Sequence, residues 1–230
     1  MSKTIAILQS SYIPWKGYFD IIQSVDEFVL YDDAQFTRRD WRNRNRIKTK
    51  DGLKWLTIPV EGKGKLTQRI RDTRISHKGW AVKHWKSIYN NYSKAEYFKH
   101  YRELFEELYL GCEEDFLSPV NFRFITAINR ALGIETRISR SSEFNLPEGR
   151  NERLLSLCRG TGATKLLSGP AAQVYLDTSS FQREGIEVEW MDYSGYPEYH
   201  QMFPPFEHQV TILDLLFNEG PNAKTFMKSF

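Results

Sequence analysis

The chain has little of what staples or anchors a protein. Its two cysteines, Cys112 and Cys158, show no C-x-x-C spacing, so neither a disulfide framework nor a thiolate zinc site organises it. No run approaches the roughly 18 consecutive apolar residues that span a bilayer. The N-terminal MSKTIAILQSSYIPW puts only about five apolar residues after Lys3, too few for the core of a secretory signal. His77, His84, His100, His200 and His208 make no HxH or HxxxH pair, so metal-ligand spacing is lacking. No P-loop, GxGxxG or GxSxG pattern occurs, and no signature of an organic cofactor. Repeats, linkers and low-complexity segments are also missing. What remains, with 40% apolar and 27% charged residues over 230 positions, is expected to be one cytoplasmic globular domain. A chain of this length buries roughly 70% of its unfolded surface without a staple.

Charge is what the sequence has in an unusual distribution. Residues 38–86 hold sixteen of the 32 lysines and arginines and only four acids, Asp40, Asp51, Glu61 and Asp72. That stretch is +12 and the remainder −9, behind a net charge of +3. Its densest part runs through Arg38, Arg39, Arg42, Arg44, Arg46, Lys48 and Lys50, with Trp41, Asn43 and Asn45 interleaved. Arginine forks bind phosphate oxygens bidentately, and tryptophan offers a stacking face. The pattern points to a nucleotide, a sugar nucleotide or RNA; a solvated basic surface is the plain alternative.

Periodicity predicts an α/β fold with a short, mostly parallel central sheet. Residues 4–9 read as a buried strand, 17–24 as a short helix and 28–31 as a second strand, the opening of a right-handed βαβ unit. A β-hairpin is expected near residues 44–60, turning at Asp51-Gly52 and ending by Pro59. A helical insertion near 78–132 follows. It comprises a helix over 78–92, a second from a capping box at Ser93–Glu96 to Gly111, and a third from Ser118-Pro119 to Gly133. Further on, 151–159 reads as a helix, 165–168 as a strand, Pro170 to Leu176 as a helix, 186–192 as a strand and 210–219 as a final helix.

Four groups of residues carry candidate chemistry. QSSYIPWKGY, from Gln9 to Tyr18, stands at the carboxyl end of the first strand, where open α/β sheets place ligands. Here Gln9, Tyr12, Trp15, Lys16, Gly17 and Tyr18 are candidate binding residues, and Gly17 allows backbone to approach a phosphate. This Rossmann-type opening is similar to that of nucleotidylyltransferases and pantothenate synthetase. Their phosphate-binding histidines are missing from Pro14–Tyr18, which speaks against nucleotidyl transfer. Asp32-Asp33 ends the second strand, a place for a general base, although adjacent strand residues face opposite ways. Ser168 and Gly169 form a small-residue turn suited to an anion. Of the histidines, His84 falls on an inward helix face and reads as a core residue or a catalytic one, and His200 and His208 flank a Phe203–Phe206 loop as further candidate bases.

Taken together, QSSYIPWKGYFDII, FVLYDDAQFTRRDWRNRNRIKT, KWLTIPV, KLLSGPAAQVYLD and ILDLLFNEG resemble the WbqC-like protein family from Ile5 to Gly220. The resemblance implies a place in O-antigen or other surface-polysaccharide biosynthesis, near nucleotide-linked amino sugars. Joined to the residues above, it gives an expected acyl- or aminoacyltransferase acting on the amino group of such a sugar. Arg38, Arg39, Arg42, Asn43, Arg44, Asn45 and Lys48 would hold its phosphates, and Asp32, Asp33 or His84 would handle the proton. An aminoacyl-tRNA donor, or a non-catalytic binding or scaffolding role in the same pathway, is the alternative.

Overall fold

The structure, a computed structural model, describes residues 2–230 except Lys63 and Leu66. Its centre is a five-stranded, all-parallel sheet made of β1 (Thr4–Leu8), β2 (Glu27–Leu30), β5 (Arg137–Arg140), β6 (Lys165–Ser168) and β7 (Glu187–Trp190). The spatial order is β5-β2-β1-β6-β7. The chain winds outward from β1 in one direction, returns, and winds outward in the other, which is the doubly wound order of the Rossmann type.

Strand alternation explains the two layers around this sheet. Ala6, Phe28 and Leu30 point to one face and join α1 (Lys16–Gln23) and α4 (Leu117–Leu132) in the larger core. Ile5, Ile7 and Val29 point to the other and meet α5 (Arg150–Thr161) and α6 (Thr178–Arg183). Both faces being covered, the central strands read as apolar runs rather than as alternating ones. At the end of α4, Gly133 takes the left-handed conformation, φ 63°, that a helix stop asks of glycine.

Between β2 and β5 the chain inserts the hairpin β3 (Arg44–Thr49) and β4 (Gly52–Thr57), then α2 (Trp80–Tyr92) and α3 (Phe98–Leu110). The hairpin is sewn to the C-terminal helix α7 (Ile212–Glu219), since Thr211 N–H donates to the Arg46 carbonyl at 2.9 Å. Ile212 N–H in turn reaches the Pro14 carbonyl at 2.8 Å, so α7 props the loop after β1. No helix among the described residues is long and apolar enough to cross a membrane.

Three local expectations are corrected. No capping box forms over Ser93–Glu96: Ser93 closes α2, donating its N–H to the Tyr89 carbonyl, and α3 starts at Phe98. The Tyr97 N–H is satisfied instead by the Phe217 carbonyl at 2.9 Å, a tertiary bond that replaces the local cap. Pro170 opens a 3₁₀ turn, Pro170–Val174, rather than a helix through Leu176. That segment buries only Ala172 and Leu176 and leaves Val174 exposed, too little for an amphipathic face. Strand β5 and helix α6 were not anticipated. RISR carries only Ile138 as an apolar residue, and α6 is six residues capped by Asp177.

Candidate functional site

The order of the sheet reverses between β1 and β6, and the loops leaving their carboxyl ends diverge there. A cleft of about 800 Å³ opens at this point. Leu8, Ser11, Pro14, Trp15 and Tyr18 line it from the β1 side, Gly169, Pro170 and Ala171 from the β6 side. Tyr193, Gly195 and Tyr196 come from the segment after β7, Trp41, Arg42 and Asn45 from the basic stretch, and His208 and Gln209 from the approach to α7. This is where open α/β sheets bind their ligands.

The β1–α1 loop is held in an unusual shape. Ile13 is buried with φ 37°, a region that β-branched residues avoid. The Asn45 amide holds it by donating to the Tyr12 and Ile13 carbonyls at 3.1 and 2.9 Å. Arg42 Nη1 secures the preceding turn through the Gln9 carbonyl at 3.1 Å and the Ser11 hydroxyl at 3.0 Å. Arg42 and Asn45 therefore both shape the loop and face the cleft.

Trp15 is the aromatic centre of the wall. Its indole meets Tyr193 and Tyr196 edge-on at 5.3 and 5.4 Å. It folds back over Gly17, where a Cβ would come within 2.3 Å of the indole ring. Glycine is required for that contact rather than for an unusual backbone angle. Tyr18 supports the floor by donating to the Gln9 carbonyl at 3.0 Å. Lys16 is not among the cleft residues: it is buried behind Tyr196, with Nζ donating to the Pro197 carbonyl at 2.9 Å and lying 4.9 Å from the Tyr196 ring. Burial lowers its ammonium to about 8, against the opposing pull of Asp20.

The remaining candidates fall in several other places. Arg38, Arg39, Asn43 and Arg44 line a second hollow of about 560 Å³. Asp32 lies in a smaller hollow of about 130 Å³ with Arg71, Ser118 and Arg140. Its carboxylate accepts from Ser10 N–H at 2.9 Å and from the Ser118 hydroxyl. Asp33 is engaged by Arg69 at 3.1 Å, Arg71 at 3.0 Å and the Ser141 hydroxyl at 2.8 Å. Lys48 is buried, its ammonium on the Pro205 carbonyl and its N–H on the Tyr92 hydroxyl at 2.9 Å. Ser168 ends β6 beside Gly169, its carbonyl accepting from Met191 N–H at 2.8 Å.

His84 lies in the helical layer, not among the cleft residues. Its Nδ1 is 2.9 Å from the Tyr12 hydroxyl, which is 2.8 Å from that of Tyr109, and Trp80 packs edge-on against the ring. Burial pushes the imidazole down to about 4, against about 6.5 in an unfolded chain. Between those values the unfolded chain binds a proton that the fold excludes. The stability His84 confers is thus complete above pH 6.5 and lost as the pH falls to 4, by on the order of 3 kcal/mol. Urea melts at pH 7, 5.5 and 4.5 should show a shallower acid decline in His84→Phe than in the wild type. Equal declines would mean that the imidazole is protonated within the fold.

Sequence reasoning did not select Tyr193, Tyr196 or Gln209, and noted His208 without placing it. The signal for the two tyrosines was available. YSGY follows β7, so extending the carboxyl-end rule across the sheet would have reached it. His208 is half-buried, its ring edge-on to Phe206 at 4.6 Å and its Nδ1 without a hydrogen-bond partner. Cys112 and Cys158 are free, and burial raises both thiols to about 12. Among the described residues no group of His, Cys, Asp and Glu is arranged to hold a metal ion.

Residues 9–226, which include every cleft residue except Leu8, match the WbqC-like protein family. The chain belongs to that family. This WbqC-like protein is also 47% identical over 226 residues to the uncharacterized protein Rv1507c of Mycobacterium tuberculosis, an alignment covering 98% of each chain. No solved structure matches it.

Proposed function

We propose that this WbqC-like protein binds a nucleotide-linked amino sugar in the β1/β6 cleft and transfers an acyl or aminoacyl group to the sugar's amine, in the making of a surface polysaccharide such as O-antigen. The observation that carries the reading is the cleft's place and lining. It opens at the reversal of a doubly wound sheet, with Trp15, Tyr18, Tyr193 and Tyr196 as walls for a base or sugar ring. Arg42 is the arginine of the cleft wall; Asp40 at 3.7 Å offsets part of its charge, and its guanidinium edge is the donor a diphosphate would meet there.

The chemistry asks for a neutral amine. A base removes a proton from the sugar ammonium, and the nitrogen lone pair attacks the donor's carbonyl carbon. The C–N bond forms, the donor's C–O or C–S bond breaks, and the departing alcohol or thiol takes up a proton. His208 lines the cleft and is the residue placed there to make this exchange. Asp32, held by Ser10 and Ser118, and Asp33, held by two arginines, fix the neighbouring strand end in this reading.

Mass spectrometry of nucleotide amino sugars incubated with the protein and either acyl-thioester or aminoacyl-tRNA donors tests the proposal. An N-acylated sugar nucleotide is the expected product. His208→Ala should lower kcat by about 10²–10⁴-fold, the usual worth of general-base help. Binding without any product would favour the scaffolding alternative, which the engagement of both aspartates outside the cleft supports. Product formation unchanged in His208→Ala, but abolished in Asp32→Asn with folding intact, would return the proton to Asp32.

A further inference from the structure

The basic stretch divides by whether its charges are already answered. Arg42, Arg69, Arg71 and Arg74 each lie within 4 Å of an aspartate. Arg38, Arg39, Arg44 and Arg46 have no carboxylate partner among the described residues. Arg38 donates to the Gly62 carbonyl and Arg44 to the Arg39 carbonyl, and Arg46 to the Gln209 side-chain carbonyl at 2.6 Å. Carbonyls satisfy donors but leave the positive charge standing.

Those unanswered charges surround two exposed tryptophans. In the hairpin register Arg46 lies opposite Trp55 and Arg44 opposite Thr57, so alternation puts Arg44, Arg46 and Trp55 on one face. Arg44 lies 4.0 Å from the Trp55 ring centre, and Arg46 5.3 Å from Trp55 and 5.5 Å from Trp41. The two indoles are 5.4 Å apart. Trp41 is 38% and Trp55 41% exposed, although indoles are usually covered. At one end this face meets the hollow lined by Arg38 and Arg39, and at the other Trp41 and Gln209 form part of the cleft wall.

Alternating guanidinium planes and indole rings, uncompensated by acids, are what a phosphodiester chain with unstacked bases requires. A protein partner would offer carboxylates to the arginines but has no regular supply of flat rings for the tryptophans. A lipid surface would call for an apolar face backed by lysines, whereas the aromatic atoms here are interleaved with arginine. We infer that the Trp41–Trp55 face of the hairpin is a binding site for a single-stranded nucleic acid, laid so that one end of the strand reaches the mouth of the cleft. The inference is independent of what the cleft holds.

The test is fluorescence anisotropy with a labelled ten-nucleotide single-stranded RNA, compared with heparin, which has the charge and no bases, and with an RNA duplex. Wild-type protein should bind the single strand in preference to the duplex. Trp55→Ala should weaken single-strand binding by about 5- to 150-fold, the worth of one base stack, and change heparin affinity less than twofold. Arg44→Ala should lower the slope of log affinity against log salt by about 0.7. Saturable quenching of wild-type tryptophan fluorescence by the RNA, but not by heparin, supplies a reading that depends on no variant. No single-strand binding at low salt, equal loss of RNA and heparin binding in Trp55→Ala, or RNA affinity unchanged in Trp55→Ala would each overturn the inference.

Discussion

Gly17→Ala is expected to leave the protein folded and to weaken binding in the cleft by about 5- to 150-fold. The added methyl would meet Trp15 Cζ2 at 2.3 Å, so the indole must swing away. It then loses its edge-on contacts with Tyr193 and Tyr196 and the ring face it offers a ligand, worth about 1–3 kcal/mol if a base stacks there. Helix stability moves the other way. Gly17 is the second residue of α1, where alanine is favoured over glycine by at most about 1 kcal/mol, so the melting temperature should change little. Trp15→Ala should reproduce the affinity loss by deleting the ring. Isothermal titration on the two variants checks this, and an unchanged Kd in Gly17→Ala would mean that Trp15 makes no contact with the ligand.

Asp214→Ala is expected to produce the largest stability loss of any single substitution discussed, about 3–5 kcal/mol, because it leaves several buried donors without an acceptor at about 1–3 kcal/mol each. Asp214 is 1% exposed and accepts from the Tyr92 hydroxyl at 2.7 Å, the Tyr199 hydroxyl at 2.8 Å and the Gln201 amide at 2.9 Å. Burial raises its carboxyl above the ordinary range, while those donors and the nearby Lys48 ammonium favour the charge. Removing the carboxylate strands two buried hydroxyls and the Gln201 amide, and takes away a negative charge near the Lys48 ammonium, which stays on the Pro205 carbonyl. For a chain of this size the loss corresponds to roughly 6–20 °C in Tm. Asp214→Asn retains an acceptor at the site and should cost less. Lys48 joins this network through its backbone N–H, and its buried ammonium holds the Pro205 carbonyl, so Lys48→Ala should appear mainly in thermal melts through the lost Pro205 contact. Equal, small losses in Asp214→Ala and Asp214→Asn would show that the network is not coupled.

How much of this was legible in the sequence follows from how local each signal is. TIAILQ, FVLY and KLLS announced buried parallel strands because both their faces are covered. Ser118-Pro119 and Gly133 bracketed α4 because a proline start and a left-handed stop are local chemistry. RISR gave no such notice: as an edge strand it takes its shape from pairing with β2. In the site, Trp15, Gly17 and Tyr18 could be read from their place after the first strand. Tyr193 and Tyr196 follow β7, two strands from β1, and join them only when the same carboxyl-end rule is carried across the sheet. The basic stretch showed its charge but not its division. Whether an arginine meets an aspartate depends on tertiary folding, and that separates Arg69 and Arg71, on Asp33, from the unanswered Arg44 and Arg46.

The central claim is that the β1/β6 cleft holds a nucleotide-linked sugar. It is tested most directly by thermal shift of the wild type and Gly17→Ala against UDP-, GDP-, CMP- and dTDP-sugars. A ligand at 100-fold over its Kd adds about 2.7 kcal/mol to the folded state, or roughly 5–10 °C here. The account predicts such a shift for one nucleotide class in the wild type and its reduction in Gly17→Ala. No shift with any class, or the same shift in both proteins, would contradict it.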